Sequence, residues 1–474
     1  MAEFEEVKGD EEEYRDHIST VNEDGSRKWL YVKKPSGKWF NRRQIVSYSL
    51  LLLLFAAPHI RINGHQSILF NIIERKFVIL GKVFWPQDLF LFAISIIIGV
   101  VFIITFTIIY GRIFCGWICP QTIFMEMVFR RIEYFIEGDW TRQKKLNKGP
   151  WNAEKIRKKV IKHALFWLVS FLIANTFLAY VIGSEELWKI QTDPLGKHLG
   201  GLIGVAIFTT IFYLVFSMLR EQVCTTICPY GRLQGVLLDE NSMLVAYDHK
   251  RGEGEKGRGK FRKNEDREEA GKGDCIDCNQ CVVVCPTGID IRNGTQLECV
   301  NCTACIDACD HMMGSVGLEE GLIRFVSEKG IKERTGFQWT RRVISYTALL
   351  TGMIVLLVFL MMTRKDFETT ILRQRGSTYQ TTSGGRISNI FEINLTNKTQ
   401  NDYKIKLQVE NSNATIDLAV KDITLPKEGR LKERFVMKLP MKEIHNGKEI
   451  ITVLVLGNGK EIQRVKVKFI GPLL

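Results

Sequence analysis

Eight of the chain's twelve cysteines fall between Cys275 and Cys309, in a doubled register. The stretch reads Cys275-x2-Cys278-x2-Cys281-x3-Cys285-Pro286, then Cys299-x2-Cys302-x2-Cys305-x3-Cys309. Three thiolates set two residues apart can wrap one face of an iron–sulfur cube, and the fourth reaches the neighbouring cube. The cross-over predicts Cys275, Cys278, Cys281 and Cys309 on one [4Fe–4S] cluster, and Cys299, Cys302, Cys305 and Cys285 on the other. Paired zinc ribbons would set two CxxC pairs farther apart, and disulfides need no doubled register. Asp310 stands where the second motif often carries a proline, a change expected to alter the turn and spare ligation.

The remaining four cysteines also sit in short motifs, so none is placed as a disulfide candidate. That usage predicts thiols held as metal ligands on the reducing side of a membrane. The net charge of +13 is uneven. The first residues are acidic and polar, without the pattern of a secretory signal, and residues 1–40 are expected to form a mobile cytoplasmic tail.

Long apolar runs define the middle of the chain. Spans are predicted at about 44–60, 89–110, 164–182, 199–219 and 343–362, the first slightly short for a bilayer. A buried helix of a soluble protein can mimic one such run, but not five. Orientation follows from the cationic residues. The segment Gly111–Lys162 holds twelve Lys and Arg, against two in Gly183–His198 and four in Arg61–Asp88. The N-terminus, the 111–162 loop and the 220–342 region are therefore expected in the cytoplasm, with the C-terminus outside. Basic runs such as Arg130-Arg131 and Lys155 to Lys159 read as orientation signals and lipid-headgroup contacts rather than nucleic-acid sites.

The resulting domain scheme places the transmembrane domain at 41–248 and a charged, glycine-rich linker at 249–272, expected to give the cluster module some freedom. A ferredoxin-type two-cluster domain follows at 273–318, a connector at 319–342, and the fifth span at 343–362. Residues 366–474 alternate as short strands such as Tyr403 to Val409 and Arg464 to Phe469, separated by polar turns. They predict an immunoglobulin-like β-sandwich without a disulfide, on the periplasmic side.

The four other cysteines repeat. Cys115-Gly116-Trp117-Ile118-Cys119-Pro120 follows the second span, and Cys224-Thr225-Thr226-Ile227-Cys228-Pro229 follows the fourth. The pattern predicts a duplicated helical hairpin, each copy ending in CxxxCP at the cytoplasmic face. Residues i and i+4 share one side of a helical turn, so each pair could meet one ion, and thiolates favour soft ions such as Cu(I). Buried thiols at a turn before proline are the plainer alternative.

These residues resemble the bacterial FixG/RdxA/CcoG family of cytochrome c oxidase accessory proteins. The likeness rests on Gly111-Arg112 through Cys115-Gly116-Trp117-Ile118-Cys119-Pro120-Gln121-Thr122 with Glu126, on Trp85-Pro86-Gln87-Asp88, and on Tyr247-Asp248 with Arg251-Gly252-Glu253. It extends to Cys285-Pro286-Thr287-Gly288-Ile289-Asp290-Ile291-Arg292 and to Asp310, and runs from about Trp39 to the C-terminus. The resemblance implies a multi-pass protein of the bacterial inner membrane that assists assembly of the cbb3-type oxidase. It implies a cupric reductase, with two [4Fe–4S] clusters on the eight ferredoxin cysteines and copper handled by Cys115, Cys119, Cys224 and Cys228. The implied partners are oxidase subunits, copper-delivery proteins and a cytoplasmic electron donor. Two other readings compete: a quinol-linked electron-transfer subunit feeding a periplasmic reductase, and a copper-binding assembly scaffold without turnover.

Overall fold

The computed structural model describes residues 20–472 apart from 23, 25, 63, 73–75, 80, 85–87, 195, 264, 375, 377, 383–384, 400, 411 and 419–422. Residues 1–19 of the expected tail, and Trp85, Pro86 and Gln87 of the family likeness, lie outside the described residues. The chain forms two compact units, Met1–Gly81 with Asp88–Leu357, and Lys82–Gln87 with Val358–Leu474.

Among the described residues, four helices are long and apolar enough to cross a membrane: Phe90–Tyr110, Ala153–Ile182, Leu199–Leu219 and Arg341–Met362. The third predicted span begins well before residue 164, because the Asn152 side chain accepts from the Lys155 amide (2.8 Å) and caps a helix reaching back to Ala153. The first predicted span, 44–60, is a helix at Lys38–Ala56 that is not among the four. Its opening turns carry Lys38, Arg42 and Arg43, and Arg43 is buried. Where this helix starts is set from outside it: the Asp307 carboxylate accepts from the Trp39 amide (3.0 Å) and the Phe40 amide (2.7 Å). Two of the orphan amide donors of a helix N-terminus are thereby satisfied by a residue of the cysteine-rich module. Only glycine fits before it, because a Cβ on Gly37 (φ 144°) would lie 2.3 Å from Asp307 Cγ.

Ala153–Ile182, Leu199–Leu219 and Lys38–Ala56 meet around an aromatic core of Phe124, Phe129, Phe166 and Phe216, with Phe129 stacked on Phe216 at 4.4 Å. Beside it lies a buried ionic network, built in part from cations expected to face lipid headgroups. Arg130 is 2% exposed and pairs with Glu126 (2.9 Å) and Glu221 (3.3 Å). Glu133 takes both terminal nitrogens of Arg220, at 2.6 and 2.9 Å. Lys159 and Lys162 reach Glu137 at 2.8 and 3.0 Å, and Lys155 donates to the carbonyls of Asn147 and Gly149. These cations fold the loop onto the helices, and Arg130 and Lys155 are not free to meet headgroups.

Two further expectations are corrected. Residues 26–40 are not a mobile tail but a strap. Arg27 pairs with Glu221, Trp29 lies against the guanidinium of Arg220, and the Lys33 amide donates to the Val283 carbonyl. The charged segment 249–272 is likewise anchored. Buried Arg267 donates to the carbonyls of Gly273, Gly259 and Cys275, and Arg251 binds Asp274 and the Glu320 carbonyl. Charge and glycine cannot build an apolar core, but arginines that satisfy backbone carbonyls order a loop without one.

The second unit is an antiparallel sandwich. One sheet orders Thr415–Leu418, Arg430–Pro440, Arg386–Asn397 and Phe367–Arg373, with Gln380–Thr382 on Arg386–Asn397; the other orders Ile423–Leu425, Tyr403–Glu410, Lys448–Gly457 and Lys460–Ile470. Period-two alternation sends Ile451, Val453 and Val455 into the same core as Phe391 and Phe435, which face each other in register and stack at 5.6 Å. Asn389 ties the sheets together, donating to the Ile470 carbonyl (2.7 Å) and accepting from its amide (3.1 Å).

Candidate functional site

The cysteine-rich module is two copies of one loop. Asp277 and Asn279 have φ of 50° and 56°, and Asn301 and Thr303, at the matching positions of the second copy, have 52° and 65°. Left-handed backbone on both sides of the middle cysteine coils each Cys-x2-Cys-x2-Cys so that its sulfurs converge. A β-branched residue seldom adopts that conformation, and Thr303 is fully buried in it. Each loop runs into a helix, Gln280–Val283 or Ala304–Ser315. Asp310 lies inside the second helix, where a proline would cost a backbone hydrogen bond, and its carboxylate accepts from the Gly321 amide at 2.8 Å.

The folded loops enclose two cavities. One is lined by Cys275, Cys278, Cys281 and Cys309, backed by Met312 and Met313. The other is lined by Cys285, Cys299, Cys302 and Cys305, with Cys281 also on its wall. The cross-over sets expected from spacing are thus the sets that surround each cavity, and Cys281 borders both. Burial pushes the thiols of Cys281, Cys299 and Cys309 up to about 12 and that of Cys302 up to about 11. Four thiols around each apolar cavity fit the donor chemistry of an iron–sulfur cube.

The two CxxxCP motifs open and close with the same backbone geometry, although the turn between is α-helical in the first and π-helical in the second. Gly111 opens the first at φ 57°, ψ −133°, and Arg220 opens the second at φ 51°, ψ −122°. Arg220 holds this strained geometry through its paired contacts to Glu133. In both copies the second cysteine donates its amide five residues back, Cys119 to Phe114 (2.9 Å) and Cys228 to Val223 (2.8 Å). Proline at the next position then starts a helix, where its missing N–H is not needed. The copies meet: Thr122 Oγ1 of the first lies 3.9 Å from Cys224 Sγ of the second, and Cys115 Sγ donates to Gln234 Oε1 at 3.2 Å. Burial pushes Cys115 up to about 11 and Cys224 up to about 12, and the neighbouring thiols, Cys119 and Cys228 included, add to the effect. Among the described residues no three His, Cys, Asp or Glu side chains close on a single-ion site.

The first motif lies against the second cavity. Cys115 packs on the cluster formed by Val284, Val300, Cys302 and Ala304, which Cys305 also joins. A Cβ on Gly116 would stand 2.4 Å from the Val300 carbonyl and 3.1 Å from Cys302 Cα, so glycine is required for this approach. Arg43 Nε donates to the Gly116 carbonyl at 2.7 Å, and Arg112 donates to Gln234 Oε1 and the Gly231 carbonyl, both at 2.8 Å. Spacing alone did not single out Arg43, Thr122 or Gln234. A glycine between the two cysteines of the first motif was the one available hint of close backbone approach.

Two iron–sulfur family models match the chain, a 4Fe-4S dicluster domain over residues 219–328 and a 4Fe-4S binding domain over residues 92–148. A third, described as the IG-like fold at the C-terminus of FixG, matches residues 357–472. Apolar spans, cysteine-lined cages and these matches define a membrane iron–sulfur protein with an appended immunoglobulin-like sandwich. Among curated proteins, the nitrogen fixation protein FixG of Rhizobium meliloti is 35% identical over 64% of this chain and 57% of its own length. RdxA of Cereibacter sphaeroides is 34% identical over 73% of this chain and 74% of its own length, and RdxB of the same organism 30% identical over 81% and 83%. The chain belongs to the FixG/RdxA family.

Proposed function

We propose that this chain is an inner-membrane electron-transfer protein that reduces Cu(II) to Cu(I) at Cys115, Cys119, Cys224 and Cys228 during assembly of a cbb3-type oxidase. The observation that carries the reading is the packing of Cys115 on the cage wall to which Cys302 and Cys305 belong. It joins the cysteine cages to the duplicated thiol pairs without an intervening domain. In this reading Lys38–Ala56 supplies a fifth span, its lysine- and arginine-rich start on the cytoplasmic side. The cages and thiol pairs then share the cytoplasm, and the sandwich lies in the periplasm.

Cys275, Cys278, Cys281 and Cys309 would hold one [4Fe–4S] cluster, and Cys285, Cys299, Cys302 and Cys305 the other. Bound there, the clusters supply one-electron transfer. Ile289, Ile291 and Met313 exclude water from the cages, while Asp307 and Gly116 fix the module on the membrane helices. Copper is the substrate. Bound by thiolates, Cu(II) would gain the one electron that a cytoplasmic donor gives up to the cages and become Cu(I), the state that sulfur ligands favour.

A second reading has its own support, since a 4Fe-4S binding domain matches residues 92–148, which contain Cys115 and Cys119. There the paired thiols hold iron. Metal analysis of anaerobically purified protein separates the two. The copper reading predicts about eight irons per chain, and copper that disappears when the four CxxxCP cysteines become serine. Iron well above about eight, falling in that variant, supports the second reading. Normal copper binding by the variant overturns the first.

A further inference from the structure

Five arginines among the described residues of this unit are buried, Arg43, Arg112, Arg130, Arg220 and Arg267. Arg130 and Arg220 are paired with Glu126, Glu133 and Glu221. Arg43 and Arg112, 1% and 3% exposed, bond only neutral partners: the Gly116 carbonyl for one, Gln234 and the Gly231 carbonyl for the other. Each keeps a terminal nitrogen, Nη2 of Arg43 and Nη1 of Arg112, buried without a partner. A buried guanidinium without countercharge is costly, so a negative group belongs beside them.

Both face one cage. Arg43 acts electrostatically on Cys302, and Arg112 on Cys299 as well as Cys115. Glu126 also reaches Cys302, but it is paired with Arg130. The other cage differs. Of the cations beside it, Arg292 acts on Cys281 but is paired with Asp290 and Asp277, and Arg267, which donates to the Cys275 carbonyl, acts on the Glu265 carboxylate.

We propose that Arg43 and Arg112 are the countercharges of the cluster held by Cys285, Cys299, Cys302 and Cys305, and that they raise its reduction potential above that of the other cluster. The inference rests on the cluster assignment above. A cube held by four thiolates is anionic, and its net charge and polar surroundings set its potential. Two uncancelled positive charges stabilise the added electron, so an electron entering the protein settles in the cage beside Cys115. The arginines are positioning residues that touch neither copper nor its ligating sulfurs.

The test is an anaerobic reductive titration of the full-length protein in detergent, followed by EPR, with iron counted in every sample. Arg43→Gln and Arg112→Gln are each expected to lower the higher midpoint so that electron occupancy shifts about tenfold, about 59 mV for one electron, and to leave the lower midpoint in place. Arg43→Lys and Arg112→Lys should restore it. Should the glutamine variants lose half their iron while the lysine variants keep it, the countercharge role is upheld through occupancy. Unchanged midpoints in the double glutamine variant with iron at about eight per chain overturn the proposal, as does lysine behaving like glutamine. Wild-type protein that binds no iron fails the cluster assignment instead, a separate result.

Discussion

The two sets of cysteines are assembled by opposite means. The eight cage cysteines come from one short stretch, Cys275 to Cys309, and their geometry is local: left-handed backbone at Asp277, Asn279, Asn301 and Thr303 turns the thiols inward. The four CxxxCP cysteines come from two hairpins far apart in the chain, and only helix packing brings Thr122 against Cys224. A local site depends on its loop. A site built across two hairpins depends on everything that holds them in place, here a buried ionic network rather than apolar packing alone.

The difference predicts unequal responses to substitution. The largest expected effect is Cys302→Ser, which removes a cage wall and should halve iron from about eight to about four per chain. Cys228→Ser should leave iron unchanged, as metal analysis of both variants will show. Next is Glu133→Gln, which strips Arg220 of its buried carboxylate and should cost about 3–5 kcal/mol, read as a lower thermal midpoint of the whole chain. The same pair gives a pH signature. Burial alone would raise the Glu133 carboxyl, but Arg220 overrides it and holds the group down at about 2. A depressed value means the contribution is present above the ordinary carboxylate range and lost as pH falls through about 2. The wild-type midpoint should therefore hold down to about pH 4.5 and fall below it, whereas the Glu133→Gln midpoint should show less of that fall.

Gly116→Ala is expected to be smaller, about 1–3 kcal/mol of overpacking, because its Cβ would press on the Val300 carbonyl. It should also slow electron transfer to copper while iron content holds, which separates docking from cage integrity. The smallest is Asp307→Ala, the loss of a helix cap worth about 1 kcal/mol. If Glu133→Gln strips iron from the cages as Cys302→Ser does, the local-versus-assembled distinction is wrong.

The gathering of the eight thiols was legible in the sequence because their spacing encodes it, and each cavity is lined by one of the expected sets, with Cys281 on both walls. The sandwich was legible because its strands alternate with period two between polar turns, as Tyr403 to Val409 does. The anchored segments were not. Arg267, Arg251 and Arg27 look like solvated charge in sequence, and only their three-dimensional partners, backbone carbonyls and Glu221, make them structural. Likewise the capping of Trp39 and Phe40 by Asp307 joins distant parts of the chain and leaves no local signal. Arg130 beside Arg131 reads as a membrane-surface pair, yet Arg130 is buried in the ion network while Arg131 lies against Tyr48 and Phe40.

The central claim is that electrons pass from the cages to copper at the CxxxCP thiols. Its most direct measurement mixes chemically reduced, anaerobic full-length protein with stoichiometric Cu(II) and follows the loss of the cupric EPR signal against reoxidation of the protein. One cupric ion should be consumed per electron released by wild-type protein. Serine at Cys115, Cys119, Cys224 and Cys228 should slow the reaction by orders of magnitude with the iron content intact. Equal rates in the two proteins would contradict the claim.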